Sequence, residues 1–452
     1  MQLRHFAWPL FALVTHAAPP AYAQTSPLPL TAASADDAVG RDAPQPQAAE
    51  AARLLQDDRA LARWVIEHSP ETAAARAELA GARAATRGSR LFPNPVVDLS
   101  VSNFALGDTN PRGLSRDKTL LYGAGVSELV ELGKRGPRIA GAQLRERAAV
   151  HRFTASVAER VAQARQALAQ LVYARTRAGQ LDASLLEARA AAQVAKGRLD
   201  HQALSGVDYD RLVIDLSTIE TEAAHAHADA EAAQAQCTAT LLAPCAIQAT
   251  DVSALDPAAG VPANWQPQQL GERADIRALT LEGSAAARDA ELASARAIPD
   301  LTFRLGYAHD VFTVSGSLSN SLSLSVSGPI PLSDRGQHAR AEAQARASQY
   351  VQLARGSLVR AQGDVTALYT RKQALEGALA RLEQDALPRA NGVLEAEERG
   401  LREGQLDITD LLLVRREAIA LRLQTLDLHF ELFTVRNELR QALGLDEALA
   451  QR

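Results

Sequence analysis

The most regular pattern in the sequence is an alternation of apolar with small or polar residues, found in four short segments. In the first segment, Val97, Leu99 and Val101 are separated by single polar residues, and the run 321–327 alternates Ser with Leu or Val. A period of two residues is typical of a β-strand with one apolar and one polar face. The pattern therefore predicts four strands, at 95–104, 119–128, 300–309 and 319–328.

The segments that follow the second and fourth strands have a different period, with apolar residues three and four positions apart. Beyond Pro137 the first of them contains no proline as far as residue 203. Its apolar series is Val150, Phe153, Val157, Val161, Ala164, Leu168 and Leu171. Such spacing, sustained over many turns, predicts a coiled-coil-like helix at 136–203. At 1.5 Å per residue this helix would be about 100 Å long.

The order of strands and helices is repeated, so the chain holds two copies of one unit. Each unit contains a helix, two strands, a long helix, a turn and a returning helix. In each, an Arg-Gly pair precedes the long helix, at Arg135-Gly136 and Arg335-Gly336. A duplication of this length constrains the fold class before other features are considered. The first repeat is expected at 61–242 and the second at 271–443.

The remaining boundaries follow from breaks in the helical pattern. Pro388 lies inside the second long helix, where its missing N–H and its ring predict a kink. A flexible leader is expected at 24–60, a proline-rich linker at 243–270, and a C-terminal tail at 444–452. The second long helix is expected at 335–403, and the returning helices at 207–242 and 407–443.

The first 23 residues have the pattern of a secretory signal peptide. Arg4 and His5 form a short basic region, residues 6–14 are mostly apolar, and Ala21-Tyr22-Ala23 provides a small-x-small cleavage site. We therefore expect the protein to be exported. No cysteine lies near the cleavage site, so we expect no lipid anchor.

Composition favours long, closely packed helices over a thick globular core. Aromatic residues make up only 4% of the chain, whereas hydrophobic residues reach 47% because alanine is abundant. The formal net charge is −5, and no basic face or tail is present to suggest nucleic acid.

The sequence contains no group of residues typical of an enzyme or a metal centre. His225 and His227 are two positions apart, about 200° around a helix, so their side chains cannot share a metal. Zinc-type spacing, a phosphate-binding glycine loop and a nucleophile elbow are all lacking. Cys237 and Cys245 could form a disulfide in an oxidising compartment or be two unrelated thiols, and both alternatives stay open. We therefore expect no catalysis, cofactor or metal site.

The strands have two interpretations, a half-buried soluble sheet or a barrel with lipid outside and water inside. The sequence offers no element that would cover their apolar faces, which favours the barrel. Four strands cannot close a barrel, whereas three chains would supply about 12, within the range of membrane barrels.

Three motifs resemble the TolC family of outer-membrane efflux channels. They are Pro93-Asn94-Pro95 before the first strand, E-L-G-K-R-G at 131–136, and G-Q-L-D-I-T-D-L-L at 404–412. The segment 96–104 (V-V-D-L-S-V-S-N-F) together with 131–136 is most similar to the CzcC-like branch, which serves heavy-metal efflux pumps.

The resemblance implies a fold dominated by helices. It implies a homotrimer with a barrel of about 12 strands in the outer-membrane lipid, four strands from each chain, and a coiled-coil helical tunnel across the periplasm. It also implies two partners, a periplasmic adaptor (membrane fusion protein) and an inner-membrane RND pump.

The resemblance also places functional residues at the two helix–turn–helix tips. The candidate gate residues are Asp208, Asp210, Asp407 and Asp410. For Asp208 and Asp407 helix capping is the favoured alternative, whereas Asp410 matches a constriction aspartate of the family. A ring of acidic residues would attract cations. The expected adaptor-docking residues are Leu204, Ser205, Gly206, Arg402, Glu403, Gly404 and Gln405.

The sequence therefore predicts a passive outer-membrane duct of a tripartite efflux system that exports divalent cations such as cobalt, zinc, cadmium or nickel. A drug-efflux or type I secretion duct of the same fold is the first alternative. A soluble periplasmic coiled-coil adaptor or scaffold is the alternative from another class.

Overall fold

The computed structural model describes residues 54–104, 118–245, 255, 260–262, 264–312, 319–403 and 408–451. The predicted signal peptide, most of the leader and much of the linker lie outside these residues. The helices are α1 Asp58–His68, α2 Pro70–Gly88, α3 Arg135–Asp200, α4 Gly206–Leu241, α5 Pro267–Leu270, α6 Ala274–Ala295, α7 Gln337–Arg381, α8 Leu387–Glu403 and α9 Ile408–Ala442. The strands are β1 Val96–Ser102, β2 Leu121–Val130, β3 Leu301–Asp310 and β4 Asn320–Ser327.

The strands form one antiparallel sheet in the order β1-β2-β3-β4. Val97 is paired with Val126, which is paired with Leu305, which in turn is paired with Leu324. Since paired residues point to the same face, this register collects the apolar side chains on one side of the sheet. On that side Leu99 is 80% exposed and Leu324 76% exposed, so no part of the described chain covers it.

The opposite face of the sheet is lined by small and polar residues. Asp98 on β1 forms an ion pair with Arg304 on β3, which reaches across the intervening strand. The pair passes over Gly125, where a Cβ atom would lie 2.8 Å from Asp98 Oδ2 and 2.9 Å from Arg304 Nε. A glycine on the middle strand thus leaves room for a charged pair on the polar face.

The largest apolar core lies where α1, α3, α4 and α9 meet. Val157, Val161, Leu168 and Leu171 of α3 are buried there, as the three- and four-residue spacing predicts. Val150 was expected in the same seam, but it is 40% exposed. The seam prediction is therefore wrong at this end of α3, where the neighbouring helices leave Val150 on the surface.

The predicted flexible leader is wrong at its C-terminal end. Leu54 and Leu55 are buried in the main core, and α1 begins already at Asp58. Asp57 caps this helix, since its side chain accepts hydrogen bonds from the backbone N–H groups of Arg59 and Ala60. A short apolar segment with a local cap is therefore enough to order this part of the chain.

A buried ionic network holds the C-terminal turn, a 3₁₀-helix at Leu445–Gln451, against the helices. Arg165 of α3 is 2% exposed and donates to Asp446 Oδ2 at 2.9 Å and to Asp58 Oδ1 at 2.9 Å. Arg440 of α9 contacts the same two carboxylates, each at 2.7 Å. Three regions that are far apart in sequence, at Asp58, at Arg165 and at 440–446, are thereby joined by mutually neutralising charges.

Pro388 does not end its helix. A π-helical turn at Leu382–Ala386 separates α7 from α8, and the Leu387 N–H bonds to the Leu382 carbonyl, five residues back. A wider turn of this kind accommodates the N–H that proline lacks.

Two further features bear on the sequence predictions. Cys237 and Cys245 form a disulfide, with their Cα atoms 5.9 Å apart, so the second of the two alternatives left open by the sequence does not hold in the structure. None of the described helices is both long and apolar enough to span a bilayer.

Candidate functional site

The first tip is the turn 201–205 between α3 and α4. Ser205 is the N-cap of α4; its Oγ accepts a hydrogen bond from the Asp208 backbone N–H at 3.1 Å and donates to Asp208 Oδ2 at 2.7 Å. This reciprocal pair resembles a capping box. Asp208 also contacts Arg211 Nη1 at 3.2 Å. Ser205 is thus the cap of α4, and the Asp208 carboxylate contacts the Ser205 hydroxyl and Arg211.

The other predicted tip residues are only partly described. Asp210 and Asp410 are both exposed, the first just after the first turn of α4 and the second in the first turn of α9. Leu204 is turned inward against a buried apolar cluster, and Gly206 begins α4. Arg402 and Glu403 belong to the last turn of α8. Gly404, Gln405 and Asp407 lie outside the described residues.

The two helical hairpins pack against each other just above their tips. The buried cluster at this level takes residues from both hairpins, namely Ala195 of α3, Leu212 of α4, Leu394 of α8, and Leu411, Leu412 and Ala418 of α9. Asp208 and Asp410 therefore belong to one end of the helical assembly.

An ion pair joins the hairpins at the same level. Arg416 of α9 donates through Nε to Asp215 Oδ1 of α4 at 2.8 Å. The Arg416 side chain is 60% exposed, whereas that of Asp215 is 2% exposed. Asp215 Oδ2 has no hydrogen-bond partner within the part of the chain that the structure describes. A buried carboxylate thus depends on one partially solvated arginine.

A second arginine at this level is buried, with two of its nitrogens unpartnered in the described part of the chain. Arg415 is 2% exposed, and its Nε and Nη1 atoms lack hydrogen-bond partners among the described residues. On α8, which forms the other arm of the second hairpin, Glu397 has an Oε2 atom that is likewise buried without a hydrogen-bond partner among the described residues.

Asp215, Arg415 and Arg416 were missed in the sequence, although two of them carried a signal. Asp215 lies three residues after Leu212 and four before Ile219, which are both buried. Arg415 similarly lies four residues after Leu411 and three before Ala418. A charged residue at a buried position of an apolar three- and four-residue pattern either has a partner of opposite charge or destabilises the fold. That conflict was visible in the sequence alone.

The described residues contain no group of three or more His, Cys, Asp and Glu side chains that could hold a metal ion. The side chains described near the tips are mostly acidic, apolar or small.

Comparisons with known proteins fit this architecture. Residues 265–445 match the family model described as outer membrane efflux protein, whereas no curated protein matches the sequence. Among solved structures, CusC superposes with a TM-score of 0.74 at 17% identity, over 86% of this chain and 92% of that chain. VceC from Vibrio cholerae superposes with a TM-score of 0.70 at 19% identity, over 86% of this chain and 96% of that one.

The chain has the fold of outer-membrane channel proteins. The MtrE outer membrane channel of Neisseria gonorrhoeae, solved in its open state, agrees, with a TM-score of 0.70 at 16% identity over 86% of this chain and 88% of that chain. The channel fold and the family match over 265–445 agree with the TolC-like efflux duct that the sequence predicts. The family, the efflux role and the CzcC-like branch stay predictions.

Proposed function

We propose that this protein is a member of the outer membrane efflux protein family and acts as the outer-membrane channel of a tripartite efflux system. The observation that carries the proposal is the sheet: four strands present one continuous apolar face that the described chain leaves exposed. An apolar face of this kind is stable in contact with lipid hydrocarbon and costly in contact with water. The long helices below the sheet provide the periplasmic tunnel.

The sheet also supports a homotrimer. Its edge strands, β1 and β4, have unpaired backbone groups along one side, and such groups must be satisfied inside a bilayer. Pairing β4 of one copy with β1 of the next closes a barrel, and three copies supply about 12 strands. The polar face with the Asp98–Arg304 pair then lines the lumen.

The tips form the periplasmic gate and the docking site for a periplasmic adaptor, which links the channel to an inner-membrane RND pump. Asp410, exposed at the start of α9, is the principal gate residue in this proposal. Three copies form an acidic ring that favours cations over anions. Asp407 and Asp210 add charge nearby, while Asp208 serves mainly to hold the Ser205 cap of α4 in place.

The exported substrates are divalent heavy-metal cations in this proposal. Its support is the similarity of 96–104 and 131–136 to the CzcC-like branch, together with the acidic tip. A passive duct needs no metal site of its own, so selectivity rests with the pump that feeds it.

Deleting the coding region from its host tests both the efflux role and the metal substrate. Tolerance to zinc, cobalt, cadmium, nickel and copper is measured beside a panel of dyes and antibiotics, with wild-type complementation. Sensitivity confined to divalent metals is the expected result. Sensitivity to drugs alone would contradict the metal substrate and favour the first alternative, a drug-efflux duct of the same fold. A secretion defect without either sensitivity would favour a type I secretion duct.

The adaptor alternative is less consistent with the structure. An adaptor would have a single helical hairpin flanked by compact β domains, whereas this chain has two long hairpins and one sheet. Sedimentation with the outer membrane distinguishes the two classes.

A further inference from the structure

The four connections between strands and helices lie at one level, which we call the collar (residues 89–96, 129–138, 296–301 and 328–336). Arg138 Nε donates to the Ser89 carbonyl at 3.1 Å, which joins the first connection to the second. Lys134 Nζ lies 2.7 Å from Asp300 Oδ2, which joins the second to the third. The fourth is tied in at Gly328, where a Cβ atom would lie 2.8 Å from the Asp300 carbonyl oxygen.

Large apolar side chains are exposed around the collar, beyond the ends of the strands. They are Leu91, Phe92, Ile298, Ile330 and Leu332, which are between 50% and 78% exposed. Ile330 and Leu332 continue the two-residue alternation of Leu322, Leu324 and Val326. This continuity extends the apolar side of the sheet past β4 and into the collar.

Exposed arginines adjoin these apolar residues. Arg90, Arg296 and Arg335 are exposed, and their side chains form no ion pair with any described residue. Arg335 precedes Gly336, whose added Cβ would lie 3.5 Å from the Arg296 Cβ, so these two arginines emerge close together. Arg90 immediately precedes Leu91 on the other side of the collar.

The exposed arginines of the collar outnumber its exposed carboxylates. Lys134 is paired with Asp300, and Arg138 with Glu131. Arg135 lies over the Phe92 ring, with its guanidinium carbon 3.9 Å from the ring centroid. Two exposed carboxylates remain: Glu128 on β2, and Asp334, whose Oδ1 accepts the Gly336 N–H at 2.8 Å. The collar is therefore apolar toward the sheet and cationic toward the helices.

We infer that the collar binds the headgroups of anionic phospholipids at the periplasmic boundary of the bilayer. This inference rests on the proposed membrane position of the sheet. Arginine stems can lie along apolar surface while the guanidinium reaches the phosphate level, and the planar guanidinium matches phosphate bidentately. Each arginine at such a surface raises the local affinity for anionic lipid about fivefold.

Fluorescence quenching by brominated lipids tests the inference on the full-length protein. A Leu332→Trp reporter is reconstituted into vesicles that contain brominated phosphatidylglycerol or brominated phosphatidylcholine, and the relative association constant is measured. The reporter is combined with Arg90→Gln, Arg296→Gln and Arg335→Gln. A matched control carries Arg355→Gln, Arg381→Gln and Arg399→Gln, three exposed arginines on α7 and α8 with the same total charge change.

Preference for phosphatidylglycerol should be several-fold in the reporter protein and the control, and should approach one in the collar variant. Equal quenching by the two lipids, or a preference that survives in the collar variant, would overturn the inference while leaving the channel intact. Loss of preference in the control as well would show an effect of net charge alone and would also overturn it. Absence of quenching by either lipid would instead contradict the proposed membrane position.

Discussion

Asp215 and Arg416 connect the two helical hairpins through an ion pair in which only the acid is buried. The Arg416 Nε atom lies 2.8 Å from Asp215 Oδ1, and the exposed fractions of the two side chains are 60% and 2%. Removing the acid would leave a solvated arginine, whereas removing the arginine would strand a buried carboxylate. Loss of the arginine should therefore lower the free energy of unfolding more than loss of the acid.

Arg416→Gln should destabilise the protein more than Asp215→Asn. We expect a loss of about 3 kcal/mol for the first, because the buried charge loses its partner, and about 1 kcal/mol for the second. Thermal unfolding in detergent measures the difference. Both variants should also admit a large antibiotic more readily in a complemented host, since the pair holds the hairpins together. Equal thermal effects would show that Asp215 is solvated in the assembled protein.

Acid should unfold the protein in part through Asp446. Burial raises the pKa of this carboxyl, but hydrogen bonds and charge from Arg165 and Arg440 outweigh burial and hold the pKa below its ordinary value. Because the folded pKa is lower than the unfolded one, the ionised group stabilises the fold above the unfolded pKa, about 4. That contribution is lost as pH falls through the folded pKa.

Asp446→Asn should therefore lower stability at neutral pH by about 3–5 kcal/mol, because two buried arginines lose a shared partner. It should also flatten the decline of stability in acid. Denaturant titrations between about pH 3 and pH 7 measure both effects. Asp58→Asn is the matched control, with a smaller expected effect because Asp58 is a quarter exposed (26%). If the stability of the Asp446 variant declines in acid as steeply as that of the wild type, Asp446 is not a group that links stability to pH.

Gly336 should tolerate no side chain. Its φ is +79°, and a Cβ atom would lie 2.1 Å from the Ala293 carbonyl oxygen. We expect Gly336→Ala to cost about 1–2 kcal/mol from the left-handed conformation, with a further cost from the clash with Ala293, and to reduce the yield of folded protein. Gly356→Ala is the control within α7, where no atom lies within 4 Å of the added Cβ. The control should be neutral or stabilising by up to about 1 kcal/mol.

Asp410 and Asp208 should differ in their effect on ion selectivity. In planar bilayers under a salt gradient, Asp410→Asn should shift the reversal potential toward loss of cation preference, because the acidic ring is neutralised. Asp208→Asn should leave selectivity unchanged and cost about 1 kcal/mol of stability, since its carboxylate accepts a hydrogen bond from the Ser205 hydroxyl that caps α4. Selectivity that depends on Asp208 and not on Asp410 would reverse the proposed roles.

The local pattern of apolar residues was sufficient to predict the strands and the long helices. The alternation around Leu99 and Leu324 located β1 and β4 to within two residues of their observed ends. Successive side chains of a strand point to opposite faces of the sheet, so a strand with one apolar face has a two-residue period in its sequence. The leader was misjudged at Leu54 and Leu55, which pack on helices hundreds of residues away. No local signal reveals such a partner.

The charged residues near the tips show a different limit. Asp410 was selected from a motif, and the structure places it at the surface at the start of α9 without testing its role. Asp215 and Arg415 are buried charges within apolar three- and four-residue patterns, and the pattern does not identify the groups that face them. Their partners, or lack of partners, depend on the packing of two hairpins, which a single helical period cannot specify.

The central claim is that the apolar face of the sheet contacts lipid. Leu324 and Ser323 are neighbours on β4 that point to opposite faces, so Leu324→Lys and Ser323→Lys form a matched pair. A lysine on the lipid face costs about 2–4 kcal/mol at the bilayer midplane, whereas one facing the lumen is tolerated.

The decisive measurement is the distribution of the wild-type protein and both variants between soluble and outer-membrane fractions. The account predicts that the wild type and Ser323→Lys sediment with the outer membrane and need detergent for extraction, while Leu324→Lys is depleted from that fraction. A wild-type protein found in the soluble periplasmic fraction, or equal membrane recovery of the two variants, would contradict the claim that this sheet faces lipid.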